Sequence, residues 1–542
     1  MKNEFNWKKL LFPLGTVGML GVICVTESVG ITNIRQKNYG IMLDYMLEAR
    51  RGLPSKEERI YGVSQIWKKA SDFYGAWELA DAEMCWDEAY KIACEDAGNA
   101  RTTLEYMRAL EKFMAHLNHG NSNSVAGPNL SAGLAVLPFR LGFCSDEFVV
   151  TETENPNTYP IGTVVESVNG VETGVYLEEM YGQYSGHKTP GAREFSLANL
   201  MYFGNVGERL ELGIRRPGMS EAEAVTVRWD KNNWLDYNET KRMELKTEGC
   251  VIHKSEAFEV IQVDEYIVCL RLKSEMELSY LDIYFAEIAP ILARYDGVVL
   301  DLRYCEAANS LISHTIVESF YGEAIPYCEE GPATIKVSNY VSNFGAWDYW
   351  LGMEDSDPYA QFAEVLEQVD ELISEENAAM LEFGEEMHSG RFAAGEEIEA
   401  LIEEQWKERY PGVTLNAYTD MYKERVESCG LKGKPVVMVV DKLTGGSLDS
   451  TAAEAKSAGM TLVGTGTRGA TGTLMLIDLS GGWMTGISTQ RGLTPEGVDI
   501  TNNGVEAQIQ VDLTAEDIAV GHDSQMEKAM EVVREMIAED AR

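Results

Sequence analysis

Nine cysteines and seven histidines are the residues whose spacing could most directly signal chemistry in this chain. The cysteines are Cys24, Cys85, Cys94, Cys144, Cys250, Cys269, Cys305, Cys328 and Cys429. None forms a Cys-x-x-Cys pair, and no Cys/His cluster has the ligand spacing of a tetrahedral zinc site. Nine in 542 residues is too sparse for a disulfide framework, so most read as buried thiols. His187, His253, His314, His388 and His522 stand singly and read as surface or core side chains. The carboxylates never adopt calcium-loop spacing. No metal and no cofactor is expected. Ser447 stands just ahead of a helical run, where a serine commonly serves as a cap.

The chain carries 46 Lys+Arg against 87 Asp+Glu, a formal charge of −41. Phosphate binding needs a basic surface, so a nucleic-acid partner is excluded, and an anionic membrane surface is disfavoured for the same reason. Hydrophobic residues make up 45% of the chain, with 16 Phe, 25 Tyr and 10 Trp, which is enough to build packed cores. At roughly 150 residues per domain, the length implies three or four domains.

Lys2, Lys8 and Lys9 precede a run without charge from Leu10 to Val25. That pattern reads as a signal peptide or a single N-terminal membrane anchor, and the expected location is outside the cytoplasm, secreted or anchored.

The elements that must position any site follow from periodicity. Ser55 to Glu58 forms a capping box, and Ile60, Val63, Ile66, Trp67 and Ala70 follow at helical spacing. Thr102 to Glu105 opens a second helix with Met107, Leu110, Phe113, Met114 and Leu117 on one side. From about 130 to 230, Gly and Asn turns separate short apolar runs, the signature of a small β-rich domain. Strand, helix and strand then alternate: Tyr266 to Leu272, an apolar helical stretch, and Val298 to Leu302. The alternation returns at Pro435 to Val440, a helix over 448–458, and Thr461 to Val463. Residues 351–410 hold 18 acids and three bases, Arg391, Lys407 and Arg409, a net −15. Phe362, Val365, Leu366, Val369, Leu372 and Ile373 at helical spacing make this an acidic helical insertion with a solvated acidic face.

The order of these pieces resembles the tail-specific protease family, the C-terminal processing serine peptidases, and within it the tricorn-core and retinoid-binding-protein-like branch. Pro160 to Val171 looks like the family's PDZ-like turn, strand and Asn-Gly hairpin. Gly297 to Arg303 looks like its core strand before the oxyanion loop. Thr461 to Gly472 and Leu513 to Ile518 are similar to its C-terminal motifs. The resemblance implies an α+β and α/β multidomain chain. A signal peptide or anchor would occupy 1–30, a helical N-terminal domain 31–125 and a PDZ-like β domain 130–245. The ClpP/crotonase-like peptidase core would span 250–340 and 431–542, split by the acidic insertion at 341–430.

Family chemistry needs a nucleophilic serine on a strand-to-helix turn, a base, a group that orients the base, and backbone amides for the oxyanion. With Thr444 and Asp449 as anchors, the nucleophile position falls on Gly446, and Ser447 stands one residue later. The histidine position of the branch falls on Asn121, which cannot exchange a proton near neutral pH, while His119 lies two residues upstream. The lysine of the processing-protease branch falls on Ala470, and neighbouring Arg468 stays protonated. Where the family has oxyanion glycines this chain has Tyr304, Cys305 and Glu306.

Joint replacement of nucleophile, base and oxyanion glycines implies a pseudo-peptidase or peptide-binding protein. Peptide or protein C-termini would be its partners, with Gly162, Asn169 and Gly170 in the peptide-binding segment; packing against the core explains that segment equally well. The alternative is an active serine endopeptidase with a rearranged site, using Ser447, His119 and Asp441 or Asp449. A third reading is a scaffold whose acidic insertion recruits a basic partner.

Overall fold

A computed structural model of the chain describes residues 53–331 and 417–540, apart from 82–84, 123–124, 128–129, 234–239, 274–278, 304, 306–309, 327, 329, 473 and 490. The expected export segment, most of the acidic insertion, Tyr304 and Glu306 lie outside the described residues.

Three helices open the described chain: α1 (Lys56–Phe73), α2 (Trp86–Asn99) and α3 (Thr103–Ala115). The Ser55 hydroxyl accepts the Glu58 amide at 3.2 Å and the Glu58 carboxylate accepts the Ser55 amide at 2.7 Å, a complete capping box. The second box is only half closed. Thr102 Oγ1 accepts the Glu105 amide at 3.1 Å, but the Glu105 carboxylate reaches the amide of Arg101 instead of Thr102. Val63, Ile66 and Ala70 from α1 and Met107, Leu110, Phe113 and Met114 from α3 are buried in one cluster. Among the described residues, no helix is long and apolar enough to cross a membrane.

The stretch that reads as β-rich contains strands β1 (Phe139–Cys144), β2 (Glu147–Thr153), β3 (Val164–Val168), β4 (Arg209–Arg215), β5 (Glu223–Arg228) and β6 (Lys241–Arg242). They pair in the order β6-β2-β3-β4-β5, with β1 beside β2. It also carries two helices that its sequence did not suggest, α4 (Thr173–Tyr181) and α5 (Ala192–Tyr202). Val165, Val168, Leu212 and Ile214 of this sheet belong to the same hydrophobic cluster as α1 and α3, so the helical and β-rich stretches share a core.

The second sheet runs β7 (Cys250–Lys254), β8 (Phe258–Gln262), β9 (Ile267–Leu272), β10 (Gly297–Asp301), then β11 (Val436–Val440), β12 (Thr461–Gly464) and a short β13 (Ile509–Gln510). Strands β9 to β13 are parallel, with Val298 opposite Val436 and Val437 opposite Thr461. Every residue of β10 and β11 is buried. That is why β11 and residues 297–300 of β10 read as apolar runs: a parallel sheet is covered on both faces. One face packs Val298, Leu300 and Met438 against α6 (Ser310–Tyr321) and α7 (Ser447–Ser457). The other packs Val299, Val437 and Val439 against Met526, Ala529 and Val533 of the C-terminal helix α8 (Ser524–Asp540). Each fully buried side chain of this size contributes about 1.5–3 kcal/mol.

Arg303 fastens the end of β10 to the start of α8. Its guanidinium donates to Asp301 at 2.9 and 3.0 Å and to Asp523 at 2.8 Å through two nitrogens. Arg303 and both carboxylates are buried.

Candidate functional site

Strand β11 delivers the chain into a tight turn before α7. The Asp441 carboxylate accepts the amides of Leu443 and Thr444, each at 3.0 Å, and the Thr444 hydroxyl accepts the Asp441 amide at 3.0 Å. Asp441 is thereby committed to shaping the turn, and burial raises its pKa against those bonds. The turn ends at Gly446, the residue preceding α7, with φ 65° and ψ −129°. A side chain is strained in that conformation, yet a Cβ at Gly446 would meet no atom within 4 Å. The position that the sequence resemblance assigns to a nucleophile is thus a sharp strand-to-helix turn facing open space, and it holds a glycine. Ser447 is the first residue of α7 and not its cap; Gly446 precedes it and supplies no side-chain bond.

Asp449 sits one turn into α7, fully buried. Its two oxygens accept the amides of Gly469 at 2.9 Å and Ala470 at 3.0 Å. Burial raises its pKa to about 6, opposed by its bonds to Thr467, Gly469 and Ala470 and by the charge of Arg468. It holds the 467–470 loop against α7, and its bonds to that loop do not involve a histidine.

Arg468 rises from that loop over the turn. Its amide donates to the Thr444 carbonyl at 2.7 Å, and its stem covers Gly445, where a Cβ would come within 2.8 Å of Arg468 Cδ. Its guanidinium reaches His187, Nη2 to Nε2, at 3.3 Å. His187 is buried, and its pKa is held well below the usual imidazole range by burial first and then by Arg468, His119 and Arg193. A neutral ring facing a guanidinium presents its lone pair at Nε2.

The His187 ring abuts Gly120, where a Cβ would fall onto it. His119, next in the chain, has no exposed surface. Its Nδ1 accepts the Asn121 amide at 3.2 Å, and its Nε2 has no hydrogen-bond partner. Burial lowers its pKa to about 4, against the opposing charge of Asp499. Asn121, which the sequence resemblance sets at the base position, donates its side-chain amide to the Gly472 carbonyl at 3.3 Å. The structure thus gathers 119–121, 444–449 and 467–472 around one turn, but neither ring nitrogen of His119 is hydrogen-bonded to Ser447 or Asp449. His187 and Thr189 complete this surround; a Cβ at Gly469 would press on Thr189 Oγ1. No spacing signal announces them, since His187 is 281 residues from the arginine it touches.

The three residues of the expected peptide segment are divided. Gly162 is buried with φ 84° against the short helix Ala515–Val520; a Cβ there would lie 2.7 Å from the Ala519 Cα. Asn169 and Gly170 form an exposed two-residue turn at φ 53° and 81°, the geometry an Asn-Gly hairpin favours. The Asn169 side chain accepts the Glu211 amide at 2.9 Å. Cys305 donates its thiol to the Lys273 carbonyl at 3.3 Å. Among the described residues, no group of three or more His, Cys, Asp or Glu side chains is arranged to hold a metal ion.

The profile of Peptidase family S41 matches residues 390–511, which include the turn, α7 and the 467–472 loop. Mature CPAF complexed with lactacystin superposes with a TM-score of 0.59 at 15% identity, covering 89% of this chain and 99% of that one. Mature CPAF alone gives 0.59 at 16% identity, covering 90% and 99%. The photosystem II D1 C-terminal processing protease gives 0.39 at 13% identity, covering 85% and 94%. No curated protein matches the chain. The chain resembles the tail-specific, S41-type peptidases, and its fold is the mixed α/β multidomain fold shared with CPAF.

Proposed function

We propose that this protein is a catalytically degenerate S41-type peptidase that keeps the fold and a peptide-binding role. The observation that carries the reading is Gly446: a sharp strand-to-helix turn with open space before it holds a glycine where the family resemblance sets the nucleophile. Asn121 and Ala470 stand at the two family base positions, and Asn121 is engaged with backbone. Peptide or protein C-termini are the proposed ligands, taken by strand addition to the PDZ-like segment. The first residues direct export or anchoring at the cell envelope.

Incubation of the purified chain with a fluorophosphonate probe and with casein tests the main reading. Neither labelling nor cleavage is expected. Labelling that disappears in Ser447→Ala would establish the alternative, an active peptidase with Ser447 as nucleophile. Against that alternative, His119 is buried, weakly basic and not bonded to Ser447. Titration with C-terminal peptides tests binding, and absence of saturation removes it. Fractionation of cells expressing the chain with and without residues 1–30 tests export; equal cytoplasmic retention of both rejects it.

A further inference from the structure

Helix α6 precedes residues 341–430 in the chain and α7 follows them, and a buried charged cluster joins the two helices. His314 on α6 points Nδ1 at Glu454 Oε2 on α7, 2.7 Å away. Its Nε2 lies 3.2 Å from Glu318 Oε1, close enough for an ion pair though off the line of a hydrogen bond. All three side chains are buried. The second oxygen of Glu454 accepts the Cys328 amide at 2.8 Å, and Glu318 Oε1 accepts the Ile325 amide at 3.3 Å. Beside them Ser313 and Thr451 share a hydroxyl contact of 2.7 Å. Thr451 and Glu454, three residues apart on α7, thus form the face that grips α6.

A neutral imidazole has one N–H and one lone pair. Here both ring nitrogens face carboxylates, so the neutral form sets a lone pair against an anion in a dry interior. Only the imidazolium satisfies both. We propose that His314, Glu318 and Glu454 form a pH-sensitive latch, in which the imidazolium holds α6 and the 325–328 segment onto α7, the helix that begins at the Gly446 turn.

The charges acting on the ring are those two carboxylates. Burial lowers the His314 pKa, and the bonds and charges of Glu318 and Glu454 outweigh it, leaving it raised. On the helix Ala417–Ser428, also packed on α6, Tyr422 and Val426 are buried while Lys423, Glu424, Arg425 and Glu427 are exposed. Cys429 just beyond it touches the Ser319 carbonyl through sulfur, 3.7 Å away. On the 322–328 stretch, Glu323 is exposed and the Cys328 thiol faces the Ser450 carbonyl. A raised histidine pKa contributes stability that is full below the unfolded-state value near 6.5 and is lost as pH rises through the folded value.

The test follows thermal unfolding of the full chain from pH 6 to 9, with amide exchange over α6 and 325–331 corrected for the intrinsic pH dependence. Wild type should lose melting temperature and α6 protection across an alkaline transition that His314→Gln lacks. Should His314→Gln fail to fold, Glu318→Gln carries the test: its transition should move to lower pH by about one unit or more. An unshifted transition in Glu318→Gln, or an identical profile in His314→Gln, overturns the latch.

Discussion

Nη2 of Arg468 lies 3.3 Å from Nε2 of His187, and a guanidinium can only donate. The imidazole therefore accepts there and carries its proton on Nδ1. This contact joins the loop behind the Gly446 turn to a segment far away in sequence; Arg468 lies over Gly445 and His187 over Gly120, whose missing side chains make room for them.

Removing the donor should leave a buried acceptor unpaired. Arg468→Met, which keeps the aliphatic stem over Gly445, should lower stability by about 1–3 kcal/mol. Urea unfolding at pH 7 reads this directly, and an unchanged midpoint and slope refute it.

Asp449 sets a pH dependence of definite sign. Its folded pKa is raised from 3.8 to about 6. A raised carboxyl pKa contributes stability that is full below the unfolded value and lost as pH rises through the folded one. Over that window the difference approaches about 3 kcal/mol at 1.36 kcal/mol per unit. Asp449→Asn should flatten stability between pH 4 and pH 6.5 relative to wild type. A variant with the same slope as wild type contradicts the assignment.

Gly446→Ser should fold, because a Cβ there has open space. Its positive φ should cost about 1–3 kcal/mol. On the proposed reading the new hydroxyl has no base beside it, so fluorophosphonate labelling should stay absent. Adding Asn121→His should be required for any labelling to emerge, and strong labelling of Gly446→Ser alone would show that a base is already in place.

Arg303 is the charge whose loss should cost most. Arg303→Met leaves Asp301 and Asp523 buried without their shared cation, which should destabilise by about 3–5 kcal/mol. Chemical denaturation measures it, and a loss below about 1 kcal/mol would show that the pair relaxes or takes in water.

The sequence by itself determined the elements whose periodicity is local. The Ser55 capping box, the apolar run of β11 and most of β10, and the helix after residue 446 follow from neighbouring residues, because backbone propensity and one-sided or two-sided burial leave a short-range pattern. The tight turn before α7 is legible for the same reason: Thr444, Gly445, Gly446 and Asp449 lie within six residues of one another. Helices α4 and α5 were not legible, since their apolar residues pack into a core shared with α1 and α3 and carry no clear stripe. Tertiary structure alone decided that Ser447 begins α7 without capping it, that His119 is sealed in the interior, and that His187 meets Arg468. It also decided that His314 lies between two carboxylates, where the sequence shows a lone histidine. Contacts between residues hundreds of positions apart depend on how sheets and helices stack, and no spacing within the chain encodes them.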